Sequence, residues 1–211
     1  MPAYASLQDW DALYNFQYAM NRRMAIHSGT ENYFAIANDP IGLVADRVGA
    51  FLFRRGDIAP AQQAIVYAVR PDEAFSALGR LFPGDFSPLG LVSRIGSLTG
   101  QPAEVAAKFP AHDRLAAIVT GEVPATSPRH TYAINANVAD AMQGDGALPA
   151  GSVSANNTRY VSDTGQIELN AVAGTVKVAT PRSELFVLAP HSALRGERVS
   201  VVNGPARGAM L

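Results

Sequence analysis

Residues 38–67 read NDPIGLVADRVGAFLFRRGDIAPAQQAIVY, a helix marked at both ends that runs straight into a strand-like segment. Asp39 stands where a side chain caps a first turn, and Pro40 takes the first helical position, where a missing N–H costs nothing. Arg54, Arg55 and Gly56 supply a cationic last turn and a stop. Within these bounds Ile41, Val44, Ala45, Val48, Phe51 and Leu52 recur three or four apart, which predicts one wide apolar face that must be buried against something large.

The flanking chain sets the architecture. Residues 2–9, PAYASLQD, predict a helix with a proline start, and LYNFQYA, residues 13–19, predicts a short buried strand. Helix, strand, loop and helix in that order belong to an α/β body with a buried parallel strand. One strand has no ladder partner, so this part is expected to be the remnant of a larger body. Beyond it, AIVYAV is a β-branched and aromatic run, residues 87–98 (SPLGLVSRIGSL) predict a short helix, and residues 101–130 look irregular and rich in Pro and Ala. The last third is the most regular. TRYVS, QIELN, TVKVA, ELFVLA and RVSVVN alternate in polarity between turn-like segments, the pattern of an antiparallel meander in a sandwich or barrel, and ARGAML begins a further strand. The boundary between the two parts falls between Gly56 and Ala61, and both ends of the chain read as cut within larger structures.

Composition excludes several classes of function. Nearly half of the 211 residues are hydrophobic, enough for a substantial core. Lys and Arg number 17 against 18 Asp and Glu and are scattered, so nucleic acid and anionic membrane are not expected partners. No run approaches the roughly 18 apolar residues of a membrane span. The start MPAYASLQDW lacks the features of a signal peptide, so if the parent protein is secreted or periplasmic its signal is not here, and the compartment is undecided. Without cysteine there are no disulfides, thiolate metal sites or cysteine nucleophiles. The histidines at 27, 112, 130 and 191 show no spacing that puts two imidazoles on one metal, and no metal or other cofactor is expected.

Three segments carry a family resemblance. YASLQDWDALYNFQYA and FAIANDPIGLVADRVGAFLFRRGDIAPAQQAIVY resemble the end of the catalytic barrel in cellulase-like, retaining, two-glutamate glycoside hydrolases that carry a C-terminal β-sandwich. YVSDTGQIELNAVAGTVKVATPRSELFVL is similar to the accessory β domain of the same proteins, where a pattern SDTG…W/L…G…V.TPR recurs. The match covers about two thirds of the chain and leaves residues 80–155 poorly matched. The resemblance implies an α+β, mostly β fold: residues 1–58 as the last β/α unit of a (β/α)8 barrel, with LYNFQYA its eighth strand, and residues 59–211 as a truncated antiparallel β-sandwich. It also implies a carbohydrate substrate or ligand, and the missing remainder of the barrel as packing partner. The family's acid/base glutamate and nucleophile follow the fourth and seventh strands, so no residue of this sequence inherits either role. Retaining hydrolysis needs two carboxyl groups about 5 Å apart, and Asp39 and Asp57 are expected to act locally, as a cap and in a turn.

Barrel substrates bind at the carboxyl ends of the strands. The residues expected at such an edge are Phe16, Gln17, Tyr18, Asn21, His27 and Glu31, with Tyr18 first because it lies nearest the strand end. Aromatic faces suit the C–H side of a pyranose, and Asn, Gln, His and Glu suit its hydroxyls. Packing competes for the aromatic positions, and Trp10, the only tryptophan, is expected to pack. Ser162, Asp163, Thr164 and Gly165 spell the loop of an aspartic-protease dyad, but between two alternating runs they read as a hairpin turn. Two other readings stand beside the hydrolase fragment: a stand-alone carbohydrate-binding or structural module, and an oligomerising protein that uses the apolar face of the capped helix.

Overall fold

The computed structural model describes residues 2–14, 18–26, 35–37, 39–76, 83–108, 114–205 and 209–210. Three helices come first, α1 (Pro2–Leu7), α2 (Arg22–Ile26) and α3 (Pro40–Phe53). Helix α3 starts at its proline and stops before Gly56, whose φ of +67° suits a residue without a Cβ. Asp39 is extended, and its backbone carbonyl accepts the first helical bond, from Leu43 N at 3.0 Å; its side chain makes no cap bond, which corrects the sequence expectation.

The apolar face of α3 is covered along one edge. Leu52 is buried and Val48 half-buried against Ala3, Tyr4 and Leu7 of α1. The helices approach so closely that a Cβ on Gly49 would lie 2.6 Å from Pro2 Cγ. Val44 and Phe51 remain 59% and 53% exposed, with the Arg55 guanidinium 4.7 Å from the Phe51 ring centroid. Leu13, Tyr14, Tyr18 and Ala19, the described residues of the expected strand LYNFQYA, are not in a strand. Among the described residues no strand pairs with them, and strands are marginal without ladder partners.

A parallel sheet follows, in residues the sequence had assigned to the sandwich part. Its strands are β1 (Ala64–Val69), β2 (Arg94–Thr99), β3 (Leu115–Val119) and β4 (Thr131–Ala133), in the order β2-β1-β3-β4 and all parallel. Helix α4 (Pro71–Ser76) and a 3-10 turn at Ser87–Leu91 lie between β1 and β2, and α5 (Pro102–Lys108) lies between β2 and β3. Helix α6 (Val138–Gly144) follows β4. Strand β1 is apolar throughout because it is buried on both faces. Ile65, Tyr67 and Val69 join Phe86, Leu89, Ile118 and Met142 on one side, while Val66 and Ala68 join Val105 of α5 and Val119 on the other. The expected helix over 87–98 is thus a 3-10 turn followed by the edge strand β2, and the stretch expected to be irregular holds α5 and β3.

The antiparallel strands begin at Arg159: β5 (Arg159–Val161), β6 (Ile167–Asn170), β7 (Thr175–Ala179), β8 (Glu184–Leu188), β9 (Ala193–Arg195), β10 (Ser200–Val202) and β11 (Ala209–Met210). Five of them form one sheet in the order β11-β8-β7-β6-β5, and β9 and β10 pair as a separate hairpin. The hairpin is tied back by the Glu184 carboxylate, which accepts from Glu197 N at 2.7 Å and Arg198 N at 3.3 Å. The molecule is a mixed α/β fold with one parallel sheet and separate antiparallel sheets.

Two turns of the five-stranded sheet grip the rest of the chain. In the β5–β6 turn, Asp163 Oδ2 accepts from Gln63 N and from Ser93 Oγ, both at 2.8 Å, so one carboxylate holds the chain just ahead of β1 and β2. In the β7–β8 turn, Ser183 Oγ donates to Asp57, which also accepts from Arg55 Nε at 2.8 Å. Gln166 Oε1 accepts from Ala59 N at 2.8 Å. Around these bonds Leu7, Leu52, Ile58 and Ala61 pack on Ile167 and Val178 in one buried cluster.

Candidate functional site

In a parallel sheet whose strand order reverses, ligands favour the crevice beyond the carboxyl ends of the strands, here between β1 and β3. The sequence closes that crevice with its own side chains. Both βα turns read x-P-x-E, RPDE before α4 and QPAE before α5. In each, the proline is the first helical residue and the glutamate reaches back to the cap N–H: Glu73 accepts from Arg70 N at 3.4 Å, and Glu104 from Gln101 N at 2.8 Å. Glu73 further accepts from the Thr120 hydroxyl and lies 3.5 Å from the Arg70 guanidinium. Burial raises the Tyr67 phenol, whose neighbours here are Thr120, Glu73 and Arg70. A phosphate at these helix starts would meet carboxylates already in place, so the crevice does not suit a nucleotide.

The opposite edge of the sheet is open. Gln62 and Gln63 precede β1, Arg114 precedes β3 and His130 precedes β4; with Gly146, Ala147 and Pro149 after α6 and Asp163 of the β5–β6 turn they line a cleft of about 310 Å³. That volume is at the small end of the range for small-molecule sites. His130 is held from behind. Tyr132 Oη donates to Asp145 Oδ2 at 2.6 Å, and His130 Nδ1 lies 3.2 Å from Tyr132 Oη and 3.5 Å from Asp145 Oδ2. The hydrogen-bond network assigns the proton to Nδ1 in the neutral ring, which leaves Nε2 as an acceptor. For Asp145, burial acts to raise the carboxyl, but bonds from Tyr132 and Ala147 N, with His130 nearby, outweigh it and hold the group below its usual range. Burial, then the bond to Asp145, pushes the Tyr132 phenol up.

The floor of the cleft carries an unmet donor and an unmet acceptor. Gln63 is only 6% exposed and its Nε2 has no hydrogen-bond partner among the described residues; Asp163 Oδ1 is likewise buried and unbonded among them, since the Gln63 N–H and Ser93 hydroxyl both use Oδ2. Each such group costs about 1–3 kcal/mol. On the rim, the Arg114 guanidinium donates to the Gln62 side chain. The formal charges of Arg114 and Asp163 offset one another, so the cleft suits a neutral ligand rich in hydroxyls.

No family model, curated protein or solved structure matches this chain.

Of the residues expected from sequence to touch a sugar, Phe16, Gln17, His27 and Glu31 lie outside the described residues. Tyr18 is 56% exposed, and its backbone carbonyl accepts from Ile36 N at 3.1 Å and Ala37 N at 2.9 Å. Asn21 Oδ1 accepts from Met24 N at 3.0 Å, the bond of a cap on α2. Tyr18 and Asn21 do not line this cleft. Trp10 is 53% exposed, a correction to the packing expected of it; it lies beyond the end of α1 at Leu7. The cleft residues come from five separate segments; Gln62 and Gln63 lie at the end of the opening segment and Asp163 in SDTG, but none was expected to bind a ligand. Among the described residues no group of three His, Asp or Glu side chains is placed to hold a metal, and no helix is long and apolar enough to cross a membrane.

Proposed function

We propose that the chain is the C-terminal, non-catalytic part of a glycoside hydrolase acting on a polysaccharide or oligosaccharide. The observation that carries this reading is spatial. Segments about a hundred residues apart in sequence resemble one family, and they pack on each other here, with Leu7, Leu52 and Ile58 against Ile167 and Val178 and Asp57 bonded to Ser183. A resemblance in separate pieces gains weight when the pieces form one core. The exposed Trp10, Tyr14, Val44 and Phe51 support a larger body that covers them, the remainder of a barrel. The described lining of the amino-edge cleft holds one carboxylate, Asp163, whereas retaining hydrolysis requires two.

Two experiments test the reading. Purified chain is expected to leave aryl glycosides intact, and turnover abolished by changing one of its carboxylates would overturn the non-catalytic role. The coding sequence upstream of Met1 is expected to continue into further β/α units with two suitably placed glutamates. A stop codon directly upstream would instead favour the second reading, a stand-alone carbohydrate-binding or structural module, which the polar cleft supports.

A further inference from the structure

We propose that the cleft at the amino edge of the parallel sheet binds a single sugar unit through its hydroxyl groups, with Gln63 and Asp163 as the central pair and His130 and Gln62 at the sides. A sugar hydroxyl is both donor and acceptor, so one such group accepts from Gln63 Nε2 while donating to Asp163 Oδ1, the two atoms left unbonded at the floor. Both atoms are buried, in residues that line the cleft. A hydroxyl reaches them once the Gln63 carboxamide turns, a movement that its broad terminal torsion permits. A second hydroxyl donates to Nε2 of His130, whose tautomer is set by Tyr132 and Asp145.

The same lining limits the ligand. Among the described residues no Phe, Tyr or Trp lines the cleft, so there is no large platform for the stacked face of a pyranose, and recognition rests on hydroxyl bonds. With about 310 Å³ the space takes one unit and not a run of them, which fits a monosaccharide or a chain end. The offset of Arg114 by Asp163 disfavours an anion. The choice of sugars among neutral polyols rests on the glycoside hydrolase reading; the existence of the site rests on the unmet pair and the shape.

The test is a titration of the isotope-labelled full chain with glucose, galactose, mannose and cellobiose, in parallel with sodium acetate, read as amide chemical-shift changes. At least one sugar is expected to shift Gln62, Gln63, Arg114, His130 and Ala147 in a saturating manner. The variant Gln63→Leu should weaken that sugar at least about fivefold, as the loss of one good hydrogen bond does. Its melting temperature should be equal or higher, because an unpaired buried amide has been replaced by an apolar group of similar size; a purely structural Gln63 would give the opposite. No shift in these residues with any sugar, shifts unaffected by Gln63→Leu, or a response to acetate in place of sugar would each overturn the proposal. The outcome is separable from the parent reading: a silent cleft leaves the upstream coding sequence as it is, and an upstream stop codon leaves sugar-induced shifts in place.

Discussion

Asp57 shows how much a single carboxylate does in this chain. Its side chain is fully buried, and the bond from Arg55, then that from Ser183, outweigh the effect of burial and hold the carboxyl at about 2 against an ordinary 3.8. Because the folded value is the lower one, the stabilisation is complete above about pH 4 and is lost as pH falls through about 2. Arg55 is half exposed, so solvent screens the pair and the contribution is about 1–2 kcal/mol at neutral pH. Asp57→Asn should lower the urea midpoint at pH 7 by that amount, and the gap from the parent chain should close by about pH 2. A gap that persists there would assign the loss to geometry and not to charge. The sequence had placed Asp57 in a turn after Gly56, and it lies in the irregular segment that follows α3. Its partner Ser183 lies far along the chain, and no local pattern announces such a bond. Asp163 gives the same lesson: SDTG reads as a hairpin turn because turn chemistry is local, while the reach of its aspartate to Gln63 and Ser93 is not.

Among the elements, β2 depends most on one side chain. Gln8 Oε1 accepts from Ile95 N at 2.9 Å, and Gln8 Nε2 donates to Gly90 O at 2.9 Å and Ser93 O at 2.6 Å. The residue that follows α1 therefore secures the start of an edge strand that is otherwise paired on one side only. Gln8→Ala should cost about 1–3 kcal/mol and speed amide exchange at Ile95 well before that at Ile65 of the central strand. Equal acceleration at both would mean that the strand opens only with the whole sheet. Legibility in the sequence varied with how self-sufficient an element is. Helix α3 was readable from Pro40 and the stop at Gly56, and the meander from its alternation. Of the parallel sheet only the run AIVYAV was, because Leu115–Val119 is short and rich in alanine, a poor strand former, and Arg94–Thr99 is polar as an edge strand tends to be. The x-P-x-E starts of α4 and α5 were the available signal for helices around that sheet.

At the scale of the molecule, the Asp163 carboxylate joins the antiparallel sheet to the parallel one: its loss strands the Gln63 N–H and leaves the fully buried Ser93 hydroxyl with the Gln63 carbonyl, at 2.6 Å, as its remaining acceptor. Asp163→Ala is expected to cost about 2–4 kcal/mol. In the parent chain, thermal unfolding followed by Trp10 fluorescence and by circular dichroism should coincide; in the variant the two should separate as the sheets lose their common fate. Coincident curves in the variant would show that the apolar cluster around Ile167 alone keeps the parts together.

The two gripping turns, β5–β6 and β7–β8, lie at the same end of the antiparallel meander. Among the described residues the β6–β7 turn at the far end makes no such bond to the parallel sheet. It carries the exposed Val172 and closes at Gly174, with a φ of +63°. For an engineer this gives the sheet a handle and a blade: an epitope, a fluorophore or a protease site inserted beside Val172 should leave the chain intact, while the same insertion in SDTG should pull the two sheets apart.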